Sequence, residues 1–105
     1  MGVTDEVIAE MVQRLVKEFS PIRIFLFGSR AWGTPHASSD VDLMVILKSS
    51  NERTIERMQR ARRAVRDLVV PKDILVKTEE EFQRYVKVYS SLEAKILERG
   101  KVLYG

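Results

Sequence analysis

Two aspartates, Asp40 and Asp42, lead into the apolar run Val41-Asp42-Leu43-Met44-Val45-Ile46-Leu47. In a strand, residues two apart point to the same face, roughly 6.6–6.8 Å apart along the backbone, so both carboxylates can be aimed at one point. Carboxylates aimed together repel strongly unless a cation lies between them. Hard oxygen ligands at the mouth of a rigid sheet suit Mg2+. A third carboxylate, Asp73, starts the next apolar run after Pro71-Lys72. If the two strands are neighbours, Asp40, Asp42 and Asp73 can meet at one end of a sheet. That is ligand charge enough for two metal ions about 3.5–4 Å apart.

A second group lies upstream. Gly28 and Ser29 follow the apolar run Ile22-Arg23-Ile24-Phe25-Leu26-Phe27. A strand-Gly-Ser-helix turn offers backbone N–H groups and a hydroxyl to an anion. Arg30 adds a guanidinium that can fork onto phosphate oxygens. Phosphate-holding groups beside a carboxylate metal site describe a nucleoside triphosphate with its Mg2+ ions. Such chemistry needs little from a protein beyond positioning and charge neutralisation.

The elements that must place these residues follow from the hydrophobic pattern. Residues 4–19 read as an amphipathic helix, with Val7, Ile8, Met11, Leu15 and Phe19 on one stripe, Thr4 as N-cap and Ser20-Pro21 as the stop. Residues 22–27 and 41–47 read as strands, and residues 73–77 as a third. Between them, residues 51–69 give a helix with Ile55, Met58, Ala61, Val65 and Leu68 inward. Thr78 and Glu81 have the spacing of a capping box, and Ser90 and Glu93 repeat it. The intervening helix is therefore short or kinked near Tyr89, Gly100 ends the last helix, and Lys101-Val102-Leu103-Tyr104 can add an edge strand. Helices alternating with strands give an α+β fold, a small mixed sheet flanked by helices.

Composition narrows the classes. The 105 residues fit a single domain spanning 1–105. A net charge of +3 is too small to mark a nucleic-acid binder. The absence of cysteine excludes disulfides, thiolate zinc sites and a cysteine nucleophile, and one histidine cannot supply a His-rich metal site. No apolar run is long enough to span a membrane, and the start of the sequence, acidic and amphipathic, is unlike a signal peptide. The expected location is cytoplasmic.

Taken together, Phe27-Gly28-Ser29-Arg30-Ala31-Trp32-Gly33 followed by Ser39-Asp40-Val41-Asp42-Leu43-Met44-Val45, with Asp73 downstream, resembles the minimal nucleotidyltransferase (MNT) family of the polymerase-β-like nucleotidyltransferases. The resemblance covers essentially the whole chain and extends to the closing Gly100-Lys101-Val102-Leu103-Tyr104-Gly105. It implies that Asp40 and Asp42 bind two Mg2+ ions. Asp73 would bind the catalytic one and help deprotonate the attacking hydroxyl. Gly28, Ser29 and Arg30 would hold the triphosphate of ATP while its α-phosphorus is attacked and pyrophosphate leaves. Trp32 departs from the family pattern, since many members carry a second basic residue there. That change either weakens the grip on phosphate or offers an aromatic surface to a base or partner.

The resemblance also implies a partner. MNT proteins are paired with HEPN-domain RNase toxins in toxin–antitoxin systems. The implied activity is transfer of AMP from ATP to a hydroxyl, a tyrosine above all, of the HEPN toxin. The alternatives are a non-catalytic antitoxin that inhibits by complex formation and a nucleotidyltransferase for a small hydroxyl compound completed by a homo-oligomer. Other residues have plainer readings. His36 reads as solvated, Ser38 and Ser39 as loop hydrogen-bonders, and Tyr85 and Tyr89 as core or interface. The arginines of 51–69 read as a solvated face partly paired with Glu56 and Asp67, so direct nucleic-acid binding is not expected.

Overall fold

Thr4 caps the first helix, α1 (Asp5–Phe19), with its Oγ1 accepting the Val7 N–H at 3.2 Å. Ser20 ends it in the left-handed region at φ 47°, and its N–H reaches back to the Val16 carbonyl at 2.8 Å. The computed structural model describes residues 4–36 and 39–105; Ser38 lies outside the described residues. After α1 come β1 (Arg23–Phe27), the one-turn α2 (Ser29–Trp32), β2 (Val41–Leu47), α3 (Thr54–Ala64) and β3 (Lys72–Thr78). The chain then forms α4 (Glu79–Val86), α5 (Leu92–Arg99) and β4 (Lys101–Tyr104).

The four strands form one mixed sheet in the order β3-β2-β1-β4. β2 and β3 are parallel, while β1 is antiparallel to both β2 and β4. Alternate residues point to opposite faces, and both faces are covered. Ile24, Leu26, Leu43, Val45, Ile74 and Val76 pack towards α1 and α3. Phe25, Phe27, Met44 and Ile46 pack towards Phe82 of α4 and Ile96 of α5. Burial on both faces explains why the β2 run carries almost no polar residue after Asp42.

Two local readings need revision. The helix expected over 51–69 spans only Thr54–Ala64, and tight i→i+3 turns carry the chain from Val65 to Leu68. These turns let both Val65 and Val70 reach the core. On that helix Ile55 is half exposed, whereas Arg57 is buried in an ion pair with Glu81. Second, Ser91 rather than Ser90 caps α5, accepting the Ala94 N–H at 3.0 Å; Glu93 turns to Lys77 instead, at 3.1 Å. Gly100 ends α5 as expected, with an ordinary negative φ of −71°. A Cβ there would lie 2.6 Å from the Ile96 carbonyl oxygen, so close approach rather than handedness calls for glycine.

Part of the arginine-rich face is paired, while Arg62, Arg63 and Arg66 are exposed. Arg60 pairs with Glu52 and Glu18 and covers the Phe19 ring at 4.6 Å, while Glu56 pairs with Arg53. Asp67 pairs with Arg14 of α1 rather than with an α3 arginine. Among the described residues no helix is long and apolar enough to cross a membrane.

Candidate active site

Strand direction gathers the chemistry-bearing residues at one end of the sheet. β1 runs up to Gly28, and its antiparallel neighbour β2 starts beside that point, with Phe27 opposite Asp42. β3 runs parallel to β2 in a register that sets Asp73 beside Asp42. Neighbouring strands lie about 4.8 Å apart. By alternation Asp42 shares its face with Met44 and Ile46, and Asp73 shares that face with Leu75. Both carboxylates therefore lie on the face covered by α4 and α5. Asp40, exposed, stands two residues ahead of Asp42.

Asp42 is the tightest point. Gly28 has φ +76°, a conformation that suits glycine, and a Cβ there would overlap the Asp42 Oδ2 atom. The turn and the carboxylate are thus in direct contact. Burial, then the charges of Asp73 and Asp40, push the Asp42 carboxyl up from its usual 3.8 to about 6. The three aspartates interact electrostatically. Among the described residues, however, no three such side chains close around a common point as they stand. Gly28→Ala is expected to destabilise the fold by about 1–3 kcal/mol through backbone strain and to displace Asp42. A thermal melt should show a drop of several degrees, and no drop would mean the turn relaxes freely.

Gly28 also starts α2, its carbonyl accepting the N–H groups of Ala31 at 2.9 Å and Trp32 at 3.1 Å. The N–H groups of Ser29 and Arg30 precede these bonds and have no acceptor within the helix. Arg30, expected to hold phosphate, makes backbone contacts in this structure. Its Nε and Nη2 donate to the Ser39 carbonyl at 3.1 and 2.8 Å, and Nη2 also to the His36 carbonyl at 3.2 Å. As placed, Arg30 pins the segment leading to Asp40. Ser39 is buried and accepts the His36 backbone N–H at 3.0 Å, as a loop hydrogen-bonder should.

Trp32 packs rather than projecting freely. Its ring lies 6.4 Å from that of Phe27, and the Lys95 Nζ sits 4.7 Å from its centre. Sequence reasoning missed Lys95, because the α5 fold-back that brings it to α2 leaves no local signal. A cavity of about 610 Å³ opens between α1 and β4, lined by Ile8, Val12, Leu26 and Leu103. It lies on the sheet face opposite Asp42 and Asp73 and contains none of the three carboxylates.

Residues 8–103 match the family described as nucleotidyltransferase domain. The chain belongs to that family. Members of this nucleotidyltransferase domain family generally use a nucleoside triphosphate and a divalent metal. A crystal structure from Sulfolobus solfataricus, of a protein assigned as a nucleotidyltransferase, superposes with a TM-score of 0.62 at 27% identity. The match covers 75% of this nucleotidyltransferase domain and 70% of that chain. A toxin–antitoxin structure with AMP-PNP matches at a TM-score of 0.54 and 24% identity, covering 92% of this chain and 73% of the other. The MntA-HpeT toxin–antitoxin, in a variant with two aspartates changed to glutamate, matches at 0.54 and 21% with the same coverages. These two share the fold. A comparison with curated proteins finds no match.

The residues of this nucleotidyltransferase domain fit a divalent cation. Their donors are carboxylate oxygens, which suit Mg2+, and Asp42 is held against a turn that would have to open if Gly28 carried a Cβ.

Proposed function

We propose that this chain, a single minimal nucleotidyltransferase domain over 1–105, transfers AMP from ATP to a hydroxyl of a HEPN-type toxin and so acts as its antitoxin. The observation that carries the reading is the meeting of Asp42 with Gly28 on one side and Asp73 on the other. Asp40, Asp42 and Asp73 would hold two Mg2+ ions, which when bound neutralise the phosphates and polarise the reacting centre. Gly28 and Ser29 orient the triphosphate through the backbone N–H groups at the start of α2. Asp73, exposed at the start of β3 and in register with Asp42, accepts the proton of the attacking hydroxyl. The acceptor oxygen bonds to the α-phosphorus, the bond to the bridging oxygen breaks, and pyrophosphate leaves.

Two features of the structural neighbours support the reading. One toxin–antitoxin was solved with an ATP analogue. In the other, the two replaced aspartates lie two positions apart, the spacing of Asp40 and Asp42 here. The test incubates the protein with labelled ATP, Mg2+ and the product of the neighbouring gene, followed by intact mass. A gain of one AMP on the partner, absent with EDTA, is expected. An unmodified partner would remove the transfer claim.

One observation favours the binding-module reading. Tyr85, Leu92 and Leu97 are exposed on α4 and α5, and Val88 and the 99% exposed Tyr89 lie between the two helices. Apolar side chains so placed suit a partner surface. If Asp40→Asn/Asp42→Asn still neutralises the toxin in cells, complex formation is the antitoxin activity.

A further inference from the structure

The triphosphate of the proposed reaction would enter a site already crowded with three carboxylates. The side chain expected to offset that charge, Arg30, has two of its three guanidinium nitrogens committed to the Ser39 and His36 carbonyls. A cation of a different element rests on α2. Lys95 of α5 has no carboxylate partner among the described residues, and its Nζ rests 4.7 Å from the centre of the Trp32 indole. The contrast with Lys77 is instructive. Lys77 also covers a ring, Tyr85 at 5.2 Å, but Glu93 neutralises it at 3.1 Å. Glu98, three residues after Lys95, lines the same shallow cavity of about 300 Å³ and forms no ion pair with it.

Trp32 places this ammonium. It closes the single turn of α2 that Ser29 opens, and residues three apart on a helix lie on one side. Its ring packs against Phe27, whose strand partner is Asp42. Trp32 and Phe27 belong to the cluster on the α4 and α5 face, the face of Asp42 and Asp73. The lysine thus stands over α2 on the carboxylate side of the sheet, with one flank open to solvent.

Resting on the proposed function, we infer that Lys95, seated on Trp32, binds the β- and γ-phosphates of the nucleotide, in place of a cation on α2 itself. An ammonium is a compact point charge suited to phosphate oxygens. The aromatic seat orders it without quenching its charge.

The test is calorimetric titration of the full chain with ATP, ADP and AMP in Mg2+. Lys95→Ala should weaken ATP about tenfold, the effect of one charge-assisted contact, and leave AMP unchanged. Lys95→Arg should recover most of the loss, and Trp32→Phe should retain more ATP affinity than Trp32→Ala. A structural role would not sort nucleotides by phosphate number. ATP binding that Lys95→Ala leaves intact, or an equal loss for AMP, overturns the inference alone. No ATP binding by the wild-type chain overturns the proposed function and this inference with it.

Discussion

Asp42→Asn should abolish nucleotidyl transfer and, in the same protein without metal, raise the melting temperature. The two effects share one cause. Asp42 sits in the turn contact with Gly28, beside Asp73 in register and two residues after Asp40. Burial and those two charges lift its carboxyl from 3.8 to about 6. The folded chain therefore holds a proton that the unfolded chain has released between about pH 4 and 6. Stability falls as pH rises through that window, and above it the full penalty remains. A shift of this size corresponds to about 3 kcal/mol; because the group is partly solvated, about 1 kcal/mol is the better figure. For a domain of this size that is a gain of about 4–8 °C for the asparagine variant near pH 7.5, shrinking to nothing near pH 4. Mg2+ should raise the wild-type melting temperature and leave the variant where it was. Loss of a carboxylate that neutralises a reacting phosphate through its metal removes several kcal/mol of transition-state stabilisation, so transfer should fall roughly a thousandfold. A variant that melts at or below wild type without metal, and still transfers, would contradict both halves.

How much of this was legible beforehand depends on the range of each interaction. The strands, the Thr4 and Thr78 caps and the stop at Ser20 are written in neighbouring residues, and the structure bears them out. The pairing of Asp42 with Asp73 needed only the assumption that two apolar strands are adjacent, which the parallel register supplies. The end of α3 was not legible. Its stripe continues through Val65 and Leu68, but satisfying both Val65 and Val70 with core contacts requires tighter turns. Burial of Arg57 in place of Ile55 was hidden for a similar reason, because its partner Glu81 is 24 residues away. The contacts of Arg30 and Lys95 were hidden by the same logic. Arg30 is beside the glycine-serine turn in sequence, yet its guanidinium is taken by the Ser39 and His36 carbonyls; Lys95 is remote in sequence, yet α5 lays it on Trp32.

Arg57→Ala should be the most destabilising single change outside the hydrophobic core. Arg57 is 4% exposed and forms two parallel bonds to Glu81, Nη1 to Oε1 at 2.8 Å and Nη2 to Oε2 at 3.1 Å. It also donates to the Val76 carbonyl at 3.1 Å, tying α3 to β3. Glu81 is engaged on the other side too, accepting the Thr78 N–H at 2.8 Å in the capping box that starts α4. Truncating the arginine leaves a carboxylate facing the gap and opens the α3–β3–α4 junction. Because the Glu81 side chain is 32% exposed, breaking the pair from one side costs about 2–3 kcal/mol, against a total of about 5–15 kcal/mol for a small domain. Urea unfolding should show the loss as a lower midpoint, and replacing the pair together, Arg57→Met with Glu81→Leu, should restore most of it. The hydrogen bond from Arg57 holds the Glu81 carboxyl near 2, below its usual 4.5. Its stabilisation is therefore present above pH 4.5 and is lost as pH falls towards 2. Glu81→Gln should flatten the acid limb of the stability curve. The pair lies at the end of the sheet where β3 finishes, opposite the end where Asp42 and Asp73 begin their strands, so transfer per folded molecule should survive its removal.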